Sequence, residues 1–247
     1  MERWARAKYQ PVLPLGEDGH RVTGSREHIE LSKDAAKEGM VLLKNQGNVL
    51  PLARGSRVAL FGKATFDYVK GGGGSGDVTV AYTRNLYEGL KKKADHVEIF
   101  EELADFYREN VKGQYAQGRG PGMTVEPVLP EELLQKARAF TDTAIISICR
   151  FSGEGWDRKS VYDRKGKADD TVIAGQEQKQ DDEEEVFEEG DFYLTHGEKA
   201  MVEAVKSSFP RVIVVMNVGG MVDTDWFAGE DKIQSVLMAW QGGMEGG

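Results

Sequence analysis

A single cysteine, Cys149, rules out a disulfide within the chain, and no grouping of cysteine and histidine has the spacing of a zinc module. The four histidines, His20, His28, His96 and His196, are scattered and none lies in a glycine turn, so a Ser-His-Asp arrangement has nothing to build on. Positive charge is in the minority: 32 Lys and Arg stand against 41 Asp and Glu, for a formal charge of −9. That balance argues against a polyanion held by general attraction, and a nucleic-acid partner is not expected. No apolar run approaches the ~18 residues that cross a bilayer, and the N-terminus lacks the apolar core of a secretory signal. The expectation is a soluble, cytoplasmic chain with no membrane partner. Its 247 residues suffice for one large domain or two small ones.

What is present is a repeated grammar. Residues 1–25 read as an extended arm broken by Pro11, Pro14, Gly16 and Gly19. Ser25 then caps a first helix, with Ile29, Ala36, Met40 and Leu43 at helical spacings. Four apolar runs follow, Arg57 to Phe61, Asp142 to Cys149, Arg211 to Val218 and Gln234 to Trp240, each leading into a glycine-containing turn. Helical segments lie between them, at roughly Arg84 to Lys93, Glu101 to Tyr115, Pro130 to Phe140 and Gly197 to Phe209. Alternating strands and helices predict an α/β fold, a three-layer α/β/α sandwich on a mostly parallel sheet. Ligands of such sheets sit beyond the carboxyl ends of the strands, which points to Gly62 onward, Arg150 to Arg158, Asn217 to Asp223 and Gln241 to Gly247. Residues 160–189 have no apolar periodicity and end in a dense acidic run, so a solvated, mobile insertion is expected there. The run lacks the glycine-punctuated alternation of a calcium loop, and no metal is assigned to it.

Two turns carry candidate chemistry. KGGGGSGD, Lys70 to Asp77, has four consecutive glycines that let backbone approach a ligand, and Ser75 is the one hydrogen-bonding side chain between Gly71 and Gly76. It is neither GxxxxGK[ST] nor a GxGxxG that opens a helix, so a pocket-shaping loop and a plain flexible loop stand ahead of a nucleotide site. RFSGEGWDR, Arg150 to Arg158, sets Glu154 between two glycines, as a solvated carboxylate or as a general acid or base whose pKa Trp156 could raise by excluding water. A retaining glycosidase needs two carboxyl groups, and Glu154 can be only one of them. Asp223 and Asp225 read as helix caps, Cys149 as a buried inert thiol, and Asn217 and Glu245 as rim residues able to orient loops by hydrogen bonding.

AAKEGMVLLKNQGNVLPL (Ala35 to Leu52), GGGGSGDV, SGEGWDRK (Ser152 to Lys159), GDFYLT (Gly190 to Thr195), VIVVMNVGG and VLMAWQGGMEGG, in that order, resemble the α/β sandwich domain of glycoside hydrolase family 3, the β-glucosidase-like enzymes. The resemblance implies a sandwich over 26–247, C-terminally incomplete because relatives continue past GGMEGG, and a separate (β/α)8 barrel, absent from this chain, that supplies the nucleophilic aspartate. It implies that Glu154 is the acid/base, that Ser75 touches the innermost sugar with Trp156, Asp157 and Arg158 as further substrate contacts, and that no cofactor is needed. The implied substrate is a β-glucoside or oligosaccharide hydrolysed with retention, and this piece alone should be inactive. The expected origin is a family member of reversed domain order, sandwich first, although a truncated gene or a piece of a longer chain would read alike. The rival reading is a non-catalytic carbohydrate- or nucleotide-binding module. The sequence leaves open the sugar, the aglycone, and whether two chains meet as a homo-oligomer to complete one site.

Overall fold

Runs of Val, Ile and Leu without polar alternation make strands buried on both faces, and the runs ending at Phe61 and Val218 lead straight into glycines, Gly62 and Gly219. A computed structural model describes residues 24–154 and 186–247. In chain order it contains α1 (Arg26–Gly39), β1 (Val41–Asn45), β2 (Ser56–Phe61), α2 (Leu86–Lys91), β3 (Val97–Ile99), α3 (Glu101–Ala116), α4 (Glu131–Phe140), β4 (Thr143–Arg150), α5 (His196–Ser208), β5 (Arg211–Val218), α6 (Asp225–Ala228) and β6 (Ser235–Met238). The sheet order is β1-β6-β5-β4-β2-β3. Every pairing is parallel except β1 with β6.

Every residue of β4 is buried, as a central strand covered on both faces requires. Phe61, Ile146 and Val214 point into one core beneath Leu133, Leu134 and Ala137 of α4 and Met201, Val202 and Val205 of α5. Their neighbours Leu60, Ile145 and Ile213 enter the opposite core, against Leu86, Tyr87 and Leu90 of α2. Each buried aliphatic side chain stabilises this arrangement by roughly 1.5–3 kcal/mol. The three-layer α/β reading and the four long strands are therefore borne out.

Two strands differ from the sequence reading. Met40 and Leu43 fall at helical spacing, yet α1 stops at Gly39 and Met40 is extended. Val41–Asn45 then pairs antiparallel along the edge of β6, because that open edge offers hydrogen bonds that override a sequence of weak strand preference. β3 is three residues long, too short to show a period of two. At the end of the expected solvated insertion, Val186 and Phe187 are buried, with the Arg150 guanidinium 4.9 Å over the Phe187 ring. No helix among the described residues is long and apolar enough to cross a membrane.

β3 and β4 flank β2 on opposite sides, so the chain leaves the ends of β2 and β4 in diverging directions and opens a crevice between them. Gly62 starts that divergence at φ 94°, with Ser147 O only 2.3 Å from where a Cβ would stand. No other residue type fits there.

Candidate active site

The glycine loop and the Glu154 loop meet at this crevice. Gly73 and Gly153 pack backbone on backbone: a Cβ on Gly73 would lie 3.0 Å from Gly153 Cα and from Glu154 N, and one on Gly153 would lie 2.9 Å from Gly73 Cα. Gly74, at φ +55°, would drive a Cβ to 2.5 Å from Glu154 Oε2. The run of glycines is thus a cradle for the glutamate turn. Lys70 closes its base through a 2.7 Å ion pair with Asp77.

Inside the cradle, the Ser75 backbone N–H and hydroxyl both donate to Glu154 Oε2, at 2.7 and 2.6 Å. The two residues stand 79 positions apart in sequence. Both Ser75 donors are therefore spent on an internal carboxylate, whose negative charge speaks against the phosphate reading. The Ser75 hydroxyl, then its N–H, holds the Glu154 carboxyl below the ordinary glutamate range. That direction is opposite to the upward shift expected from Trp156, because hydrogen bonds to an exposed carboxylate favour its charged form. Trp156, Asp157 and Arg158 lie outside the described residues.

Beside the loop is a cavity of about 430 Å³ lined in part by Tyr68, Val69, Gly71, Gly72, Pro121 and Phe151. Its far wall is anchored by Asp67, fully buried, which accepts from Lys63 Nζ (3.1 Å), Tyr115 Oη (2.7 Å), Gly122 N (2.7 Å) and Thr124 Oγ1 (2.6 Å). Burial alone would raise the Asp67 pKa, but Lys63 and these donors bring it below the usual carboxylate range. Next to it, Glu126 Oε2 accepts from Lys63 N at 2.8 Å. Glu126 Oε1 and the Tyr107 hydroxyl are buried without a hydrogen-bond partner among the described residues. Burial pushes the Glu126 carboxyl up to about 8.

The sequence reading missed this buried layer. Two signals for it existed: Lys63 and Asp67 are spaced i, i+4, and Thr195 with Glu198 forms a capping box. Other expectations hold in whole or in part. Cys149 is fully buried, its thiol pushed up to about 12 chiefly by that burial. The expected caps are met only in part: Thr224 is the N-cap of α6 and makes no side-chain cap bond, while the Asp223 carboxylate, one residue earlier, accepts from Asp225 N. Glu245 joins the turn after β6 to the segment before α2 by accepting from Arg84 Nε at 3.0 Å and from the Tyr82 hydroxyl.

Comparison with known proteins agrees with this architecture. Residues 40–247 match the glycosyl hydrolase family 3 C-terminal domain. Beta-glucosidase A of Butyrivibrio fibrisolvens is 60% identical over 248 residues, covering all of this chain and 29% of that protein. A beta-glucosidase structure from Paenibacillus barengoltzii superposes with a TM-score of 0.71 at 32% identity, covering 88% of this chain and 22% of that one. Beta-glucosidase 3B of Thermotoga neapolitana, in complex with glucose, gives 0.70 at 30% identity over 90% of this chain and 28% of that one. The chain spans less than a third of the length of the curated relatives it matches. On the match over residues 40–247 and the 60% identity, the chain belongs to glycosyl hydrolase family 3, as its C-terminal domain.

Proposed function

We propose that this chain is part of a retaining, exo-acting β-glycosidase of the β-glucosidase kind, and that Glu154 is its acid/base residue. The nucleophilic aspartate comes from a (β/α)8 barrel of the same full-length protein, and Ser75 contacts the innermost sugar, with Trp156, Asp157 and Arg158 as further substrate contacts. The observation that carries the reading is the seating of Glu154: an exposed carboxylate, directly after the central strand, at the crevice where α/β sheets bind ligands, held by donors and paired with no cation among the described residues.

In the first step Glu154 donates a proton to the departing glycosidic oxygen while the aspartate attacks the anomeric carbon. In the second it takes a proton from water, which displaces the aspartate. The Ser75 bonds favour the ionised form needed for the second step. When a sugar oxygen accepts the hydrogen bond of the Ser75 O–H, one of the bonds that keeps Glu154 ionised is lost, and the protonated form needed for the first step becomes easier to reach.

The test is turnover of an aryl β-glucoside by this chain, by a longer form that includes the barrel, and by that form carrying Glu154→Gln. Turnover is expected only in the longer form, with a fall of about 10²–10⁴-fold on Glu154→Gln. Turnover by the 247-residue chain alone, or an indifferent Glu154→Gln variant, would overturn the reading.

A further inference from the structure

Asn217, the penultimate residue of β5, is nearly buried and pairs in register with Cys149 of β4. Its side chain uses its amide hydrogens and its carbonyl oxygen on two loops. Oδ1 accepts from Val69 N at 2.8 Å, while Nδ2 donates to Val69 O at 2.9 Å and to Trp240 O at 2.7 Å. The pair of bonds to Val69 imitates one rung of a β-ladder, at the place where the chain after β2 has left the sheet and has no strand beside it. Val69 stands two residues before Gly71, where the glycine loop begins.

The bond to Trp240 fixes the other side. Trp240 is one of two non-glycine residues with positive φ among those described, at 55°, a conformation that persists only when its surroundings hold it. Gln241, the next residue, packs so closely on the glycine loop that a Cβ on Gly71 would lie 2.8 Å from its Cβ, and its Nε2 reaches Arg150 O at 3.4 Å. The two segments tied by Asn217 are therefore the supports on which the Ser75–Glu154 contact rests. Only a primary amide supplies one acceptor and two donors in this geometry; an ionised aspartate has no side-chain donor, and serine has a single O–H.

We infer that Asn217 is a positioning residue for Glu154: by clamping Val69 and Trp240 it sets the height of the glycine loop, and with it the Ser75 hydroxyl and the glutamate carboxylate, touching neither. This rests on Glu154 being the acid/base. A misplaced acid matters most when the leaving group needs its proton and least when the leaving group departs as a stable anion.

The experiment uses the full-length enzyme with Asn217→Asp and Asn217→Ser, and Glu154→Gln in parallel. It measures kcat/KM on methyl β-glucoside and on 2,4-dinitrophenyl β-glucoside, with circular dichroism to confirm folding. For at least one folded Asn217 variant, kcat/KM on the methyl glucoside is expected to fall about 10–100-fold while the dinitrophenyl value changes under about threefold. Equal loss on both substrates, no loss on either, or unfolding of both variants overturns the inference and leaves Asn217 a residue of stability alone. If Glu154→Gln itself shows no dependence on leaving group, the acid/base assignment falls instead. If Glu154→Gln shows it and the Asn217 variants do not, only the role of Asn217 is lost.

Discussion

Two glutamates serve the end of β4 in opposite ways. Glu198 lies in the core, where the Arg150 guanidinium grips both its oxygens at 2.8 and 2.6 Å. The same guanidinium donates to the carbonyls of Cys149, Asp191 and Tyr193, so all five of its N–H groups are used. Glu154, four residues further along, is exposed and held by one serine. The difference separates anchoring from chemistry. A carboxylate clamped by a buried cation stays ionised and cannot pass a proton near neutral pH, whereas one held by neutral donors at the rim can. The rigid pair keeps the strand end in place, and the lightly held glutamate, ionised at rest, stays exposed at the rim where a proton can reach it.

The comparison breaks most sharply at the rigid end. Glu198→Ala leaves Arg150 charged and unpaired in the core and should cost about 3–5 kcal/mol, read from chemical denaturation of the chain. An unchanged midpoint would mean that the pair does not anchor the strand. At the rim, Gly74→Ala puts a methyl group where Glu154 Oε2 lies and should lower the full-length enzyme's kcat/KM on an alkyl glucoside about 10–100-fold. The melting temperature should fall by only about a few degrees, since Gly74 is exposed and the cost is the local strain of alanine at φ +55°.

Glu126 sharpens the contrast from a third side, being buried without a cation on its carboxylate oxygens. Its folded pKa is raised from 4.5 to about 8, so the folded state holds a proton that the unfolded state releases. The sign follows: stability should fall as pH rises from about 4.5 to about 8, by up to about 1.4 kcal/mol per pH unit, and level off above. Glu126→Gln should flatten that fall, measured by denaturation at pH 5 and pH 8. The smallest effect is expected from Ser75→Ala. Without the hydroxyl the Glu154 pKa rises, and if Glu154 is the acid proposed above, which must be protonated for the first step, the basic limb of the kcat/KM profile should move to higher pH. A shift to lower pH would show that Ser75 does not favour the ionised carboxylate.

Much of the fold is legible because its signals are local and strong. The apolar runs of β2, β4 and β5 and the Ser25 cap of α1 could be read directly. β1 could not, since its Leu43 sits at helical spacing and the strand exists only because β6 is beside it. Glu154 and Ser75 were each visible as the notable side chain of a glycine turn. Their contact was not, nor was the downward direction it gives to the glutamate pKa. The buried Lys63, Asp67, Glu126, Arg150 and Glu198 escaped for the same reason, as polar residues in sequence carry no mark of burial when their partners are distant.

The sequence alone determined the alternation of strands and helices, the glycine-containing turns that follow the main strands, and the residue types available at the crevice, because periodicity and backbone freedom are properties of short segments. Only the tertiary structure decided that the glycines cradle a carboxylate rather than a phosphate, that Asn217 clamps two loops, and that Glu154 is held ionised at rest. Those outcomes depend on distances between residues far apart in the chain, and packing sets such distances.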